Sequence, residues 1–333
     1  MAAAAVSIPR TPPKVVGPTT KGPTQPTEQL PQYIVQEGLR YEPVQFNATK
    51  HLQLEDPGRL YTMREIGLEG QGISNTAASE PFSLFSPAAI KQMRAEIFSP
   101  SVLANCQYAS TFATNMIRCY GPRLGPFIFD AWNSPEVLAH ISKIAGVELV
   151  PALDFETGHV NVWINKGEEA TPGKSAFSWH YDSYPFVCVT MLSDCTGMTG
   201  GETAMRTGNG DVMKVRGPAM GTAVVMQGRY IEHAALAASG VPERIAMVTS
   251  FRPKNPLIRD ETILTGSRPI THRSMMYFQY SQYRLEVIRD RSDAALKKIR
   301  ERERFGREFD IDAMREYLTE QRAYLESMLD ELV

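Results

Sequence analysis

Between about Leu149 and Pro253 the chain changes texture, and this stretch constrains the fold most. Five short runs rich in β-branched and aliphatic residues follow one another: His159–Ile164, Phe186–Leu192, Val212–Val215, Thr222–Met226 and Arg244–Phe251. Turn signals stand between them at Thr171-Pro-Gly-Lys, Thr199-Gly-Gly, Thr207-Gly-Asn-Gly-Asp and Arg216-Gly-Pro. Strands this short and closely spaced predict an all-β sandwich or barrel rather than βαβ units.

Helices flank this region, so the fold class is α+β. Pro87–Phe98 reads as a helix capped by Ser86, with Ile90, Met93, Ile97 and Phe98 along its apolar stripe. A second begins at Ser134, takes Pro135 in its first turn and stops at Gly146. Beyond Pro256, one long charged helix runs from Arg273 to about Arg304, with an interruption expected near Ser292. Asp312 is the expected cap of a last helix, whose face carries Met314, Leu318, Gln321, Leu325, Met328 and Leu332. These C-terminal helices either pack on the β-rich core or form a homodimer contact.

The boundaries that follow are a disordered Pro/Thr-rich tail at 1–40, a domain at 41–256 with its β-rich core from about 149, and a helical extension at 257–333. The tail reading rests on Pro9 to Pro31, whose composition buries too little surface to offset its ordering entropy. Whether the tail is a targeting segment stays open. A net charge of -2 argues against a general nucleic-acid binder. No apolar run approaches the roughly 20 residues that span a bilayer. Cys106, Cys119, Cys188 and Cys195 are scattered and form no C-x-x-C pair, which suits reduced thiols in a cytoplasmic protein.

The chemistry gathers on His180-Tyr-Asp182. On a strand, side chains at i and i+2 face the same way, so a nitrogen and an oxygen can meet one ion. His233 lies about fifty residues downstream, at the end of Gly228-Arg-Tyr-Ile-Glu-His233. Two imidazoles and one carboxylate suit a non-haem Fe(II) site that keeps open positions. Arg244 follows, and its planar fork suits an acidic co-substrate. His51, His140, His159 and His272 read as ordinary core or surface histidines. Candidates for the pocket wall are Asn161, Trp163 and Asn165 on one strand face, Tyr181 and Tyr184 beside Asp182, and Arg206 for an anionic substrate group. Ordinary barrel filling for Trp163 and a surface ion pair for Arg206 are the competing readings. Arg252 rivals Arg244 as a carboxylate clamp but would sit far from the metal.

The region from about His159 to Pro253 resembles the double-stranded β-helix (jelly-roll) core of the Fe(II)/2-oxoglutarate-dependent dioxygenases. Their His-x-Asp/Glu, distal His and following Arg are matched by His180, Asp182, His233 and Arg244. The resemblance implies Fe(II) on the first three and the distal carboxylate of 2-oxoglutarate on Arg244. Thr203 in Gly200-Gly-Glu-Thr203 matches a further co-substrate contact. It also implies oxidation by dioxygen of an unactivated C–H bond in a small organic substrate, with succinate and CO2 as co-products. A retained Asp182 speaks against the halogenase variant, which needs a small residue there. The whole chain also resembles uncharacterised fungal members of the superfamily, some near enzymes that oxidise amino acids or secondary metabolites. Two other readings stand beside this one. A metal-dependent β-barrel enzyme that does not use 2-oxoglutarate would have no need of Arg244. A non-catalytic binding barrel would hold the triad by coincidence.

Overall fold

A computed structural model describes residues 11–19, 29–111, 113–165, 178–215, 217 and 219–333. The expected turn at Thr171-Pro-Gly-Lys, Phe177, Arg216 and Pro218 lie outside the described residues, as do 1–10 and 20–28 of the expected tail.

The N-terminal part holds α1 (Gln32–Leu39), α2 (Ala48–His51), β1 (Leu60–Thr62), β2 (Thr76–Ser79), β3 (Phe82–Ser83), α3 (Pro87–Ile97) and α4 (Pro100–Cys106). It continues with β4 (Gln107–Tyr108), β5 (Met116–Ile117), α5 (Gly121–Leu124), α6 (Pro126–Asn133) and α7 (Pro135–Ala145). The β-rich part follows: β6 (Leu149–Pro151), β7 (His159–Ile164), β8 (Phe186–Met191), β9 (Thr199–Gly200) and β10 (Thr203–Arg206). Then come β11 (Val212–Val215), β12 (Thr222–Met226), β13 (His233–Ala235), β14 (Ala238–Ser239) and β15 (Glu243–Pro253). Two helices close the chain, α8 (Arg273–Arg304) and α9 (Ile311–Glu331). No described helix is long and apolar enough to cross a membrane.

The large sheet runs β1-β2-β12-β8-β15-β7-β5-β4, with β3 beside β12 and β6 beside β15. Its pairings are antiparallel, and β15 is flanked by β7 and β8. A three-stranded sheet of order β11-β10-β13 stands apart from it. Alternation along β15 sorts its two faces. Ile245, Met247 and Phe251 enter the main core with Ile90, Met93, Trp132 and Ile141 from the N-terminal helices. Arg244, Ala246, Val248 and Ser250 turn the other way and line a cavity, with Thr203, His233 and Ala235 of the small sheet also on its wall.

The two expected helices form where their caps demand. Ser86 accepts from Ala89 N at the start of α3, and Ser134 from Val137 N at the start of α7. Gly146 ends α7 in the left-handed region at φ 70°.

Three expectations need correction. Residues 1–40 are not simply a disordered tail, because α1 packs on α3 with Ile34 fully buried in the core. Gly38 permits that approach, since a Cβ there would lie 1.7 Å from Phe98 O. Upstream, Val15 is also buried, and Arg229 Nη1 donates to Pro13 O at 2.5 Å. Composition counts only the segment's own apolar surface; these residues borrow a groove built by the rest of the chain. Second, α8 runs through Ser292 unbroken, and the hydroxyl finds its acceptor within the helix by donating back to Ile288 O at 2.8 Å. Third, Asp310, not Asp312, caps α9 by accepting from Ala313 N. The packed face of α9 is also rotated from the one expected: Tyr324, Met328 and Glu331 are buried, while Leu318, Leu325 and Leu332 are exposed. Polar anchors set this orientation. Arg284 Nη2 donates to Tyr324 O at 3.0 Å, and Arg268 pairs with Glu331 at 2.6 Å.

Candidate metal centre

His180 is not in a regular strand. It forms an isolated bridge with His233, the backbone N–H of each donating to the carbonyl of the other at 2.9 Å. Asp182 N donates to Gly228 O, also at 2.9 Å. These bonds lay residues 180–182 antiparallel to 228–233 and supply the register that a strand was expected to provide.

The three side chains converge. His180 Nε2 lies 3.5 Å from Asp182 Oδ1, and His233 Nε2 lies 3.4 Å from Asp182 Oδ2. One ligand atom from each falls within 4.8 Å of the others. His180 Nδ1 is 2.8 Å from Ser178 O, and His233 Nδ1 is 2.9 Å from Ile231 O. With each Nδ1–H donating to a carbonyl, both Nε2 lone pairs are free to face the carboxylate. Lone pairs meeting an anion are relieved by a cation. Asp182 Oδ2 is buried without a hydrogen-bond partner, as a ligand atom would be. Gly228 makes room for it: a Cβ there would lie 1.8 Å from Asp182 Oδ2. The donor set of two nitrogens and one oxygen therefore fits an Fe(II) site with open positions.

The electrostatics agree. Burial lowers His233, favouring the neutral imidazole that binds metal. Burial opposes the charge on Asp182, but His233 and His180 outweigh it and hold the carboxyl below its usual range. Burial likewise pulls His180 down, yet the hydrogen bond and charge of Asp182 raise it overall.

The triad opens into a cavity of about 150 Å³. Arg244 reaches it from β15, is 6% exposed, and donates through Nε to Gly201 O at 3.2 Å. Among the described residues no carboxylate forms an ion pair with it, and burial lowers its pKa. A buried cation in this setting calls for an anion. Thr203, Asn161, Tyr181 and Tyr184 line the same cavity. Tyr184 OH is 3.0 Å from Ser267 Oγ, and Asn161 Oδ1 is 3.3 Å from His159 Nε2.

Three expected wall residues stand elsewhere. Trp163 is cross-strand from Arg244 but packs against the Met191–Met198 cluster, as barrel filling would. Arg206 Nε donates to Glu232 at 2.5 Å, and its guanidinium stacks 4.5 Å over Trp179, which leaves it a partly exposed ion pair off the cavity wall. Asn165 donates through Nδ2 to Val241 O. The rival arginine, Arg252, lies 4.5 Å over the Tyr283 ring and does not line the cavity.

No family model matches the chain, and no curated protein does. Solved structures to which it is similar include an oxidoreductase of the 2OG-Fe(II) oxygenase family from Burkholderia pseudomallei. That match has 16% identity and TM-score 0.33, covering 42% of this chain and 67% of the other. A Pseudomonas putida prolyl-4-hydroxylase matches at 19% identity and TM-score 0.25, covering 36% and 61%. AviO1 from Streptomyces viridochromogenes matches at 13% and 0.36, covering 52% and 87%.

Sequence reasoning missed part of the wall. Arg118, Glu156, His159 and Ser267 also line the cavity. Arg118 Nη2 and Ser267 Oγ both donate to Glu156 Oε1. His159 was legible in principle, because it sits two residues before Asn161 on β7 and shares its face. Arg118 and Glu156 had no such signal, since they come from irregular chain after β5 and from a 3-10 turn at Asp154–Glu156. Val16 and Pro18 of the expected tail complete another side of the cavity.

Proposed function

We propose that this protein is an Fe(II)/2-oxoglutarate-dependent oxygenase with a double-stranded β-helix core, acting on a small organic substrate. One observation carries the reading: a His-Asp-His donor set and a buried arginine with no carboxylate ion pair among the described residues open into one cavity. A barrel enzyme that did not use an acidic co-substrate would have no reason to bury Arg244 in this way.

His180, Asp182 and His233 would hold the metal on one face, with Ser178 O and Ile231 O fixing both rings. Bound iron with the 2-oxo acid and dioxygen supplies the oxidising power for C–H oxidation, with succinate and CO2 as co-products. Arg244 would bind the distal carboxylate through its guanidinium, with Thr203 on the same wall. Val187, Val189, Ala246 and Val248 give the cavity an apolar floor that limits water.

Anaerobically purified protein given Fe(II) and 2-oxoglutarate should form succinate slowly on admission of oxygen, even without substrate. Arg244→Ala should weaken 2-oxoglutarate binding at least about tenfold while sparing Fe(II) binding, both read by calorimetry. Unchanged 2-oxoglutarate binding in that variant, or unchanged Fe(II) binding in His180→Ala, overturns the proposal.

A further inference from the structure

The cavity holds two buried arginines whose surroundings differ in charge. Arg244 has no carboxylate ion-pair partner among the described residues. Arg118 is paired with Glu156, at side-chain exposures of 2% and 3%. Burial opposes both charges, but the pair stabilises itself: Arg118 is raised, and Glu156 is held below the usual carboxylate range by Arg118, His159 and Ser267. As an ion pair, Arg118 and Glu156 carry no net charge between them.

The hydrogen-bonding capacity of this wall is not used up. Arg118 Nε and His159 Nδ1 are buried without hydrogen-bond partners. His159 Nδ1 stands 3.7 Å from Glu156 Oε2, beyond hydrogen-bond reach. Next to Arg118, Cys119 has φ 66°, the left-handed region, and is the only non-glycine residue so placed among those described. Such a conformation persists where the surroundings over-determine it, often at ligand sites.

We infer that the Arg118–Glu156–His159 wall is the substrate-recognition subsite, and that it takes a neutral hydrogen-bond acceptor such as an amide or lactam carbonyl rather than a second carboxylate. This rests on the proposed oxygenase function, since the substrate is the molecule oxidised beside the triad. A carbonyl oxygen can accept from the Arg118 guanidinium, which lines the cavity, without adding charge. A carboxylate would place an uncompensated negative charge against a pair already balanced. The two ends of the cavity are thus sorted by charge, with the acid at Arg244 and the neutral group at Arg118.

Benzamide and benzoate are matched probes of suitable size, because a cavity of roughly this volume admits a benzene ring. Binding is titrated by ligand-observed NMR with metal-free Arg244→Met protein at about pH 8, where imidazoles are generally neutral. Arg244→Met keeps benzoate from being captured at the other end. Benzamide should bind about tenfold or more tightly than benzoate. Glu156→Gln removes the balancing charge and should reverse that order. Arg118→Met with Glu156→Gln removes the donor without leaving a charge and should weaken benzamide at least about tenfold. This double variant covers the case in which Glu156→Gln alone misfolds, and unchanged benzamide binding in it also overturns the inference. Equal binding of the two probes, no saturable benzamide binding, or a ratio unmoved by Glu156→Gln overturns the inference. The titration uses neither iron nor 2-oxoglutarate, so it stays readable if the succinate assay fails.

Discussion

At the scale of single residues, Gly228 decides whether Asp182 can face the two histidines. A methyl group there would overlap the carboxylate at 1.8 Å. Gly228→Ala should therefore fold with an unchanged circular dichroism spectrum and lose Fe(II) affinity by about 10–100-fold, read by calorimetry. Glu156 makes a second prediction at this scale. Its folded-state pKa lies below its ordinary 4.5, so the group adds stability above that pH and loses it as pH falls through the folded value. Metal-free Glu156→Gln should be less stable than wild type at neutral pH, and the gap should close below about pH 4.5, followed by urea unfolding. The grouping of the triad and Arg244 on one cavity was legible from residue type and order along the chain, although His180 and Asp182 lie outside regular strands. Arg118 and Glu156 were not, because their pairing joins two irregular segments 38 residues apart and exists only once the chain is folded.

At the scale of elements, caps and alternation made α3, α7, β11 and β12 readable. The ends of β11 and β12 fall where the β-rich runs end. The helix α1 was hidden inside a Pro-rich composition, and its stability comes from outside itself. Arg94 on α3 donates through Nε and Nη2 to Glu37 at 2.7 and 2.8 Å, and through Nη1 to Glu243 at 2.7 Å. Tyr33 OH donates to the other oxygen of Glu243 at 3.0 Å. One guanidinium thus ties α1 to the start of β15, one residue before Arg244. Removing one partner of a buried pair leaves the other uncompensated. Arg94→Met should lower unfolding free energy by about 3 kcal/mol, measured by chemical denaturation. The face of α9 was misread for a related reason: helical spacing identifies an apolar stripe but not the anchors at Arg284 and Arg268 that choose which side turns inward.

At the scale of the whole molecule, the centre joins parts of the chain that no local pattern links. His180 and His233 meet only when residues 180–182 lie along 228–233, so an ion held there binds the folded state alone. Mn(II) at about 100 times its Kd should add about 2.7 kcal/mol to unfolding free energy in wild type and nothing in Asp182→Ala, followed by thermal unfolding without oxygen. The start of the described chain belongs to the same assembly. Val16 and Pro18 form part of the cavity wall, and Pro13 O is held by Arg229. Among the described residues, Thr19 N also donates to Thr111 Oγ1 at 3.2 Å. Part of the wall around the triad is therefore supplied by residues more than 150 positions away in sequence. Loss of the segment around residues 13–18 would take away one side of the cavity while leaving every side chain of the triad in place.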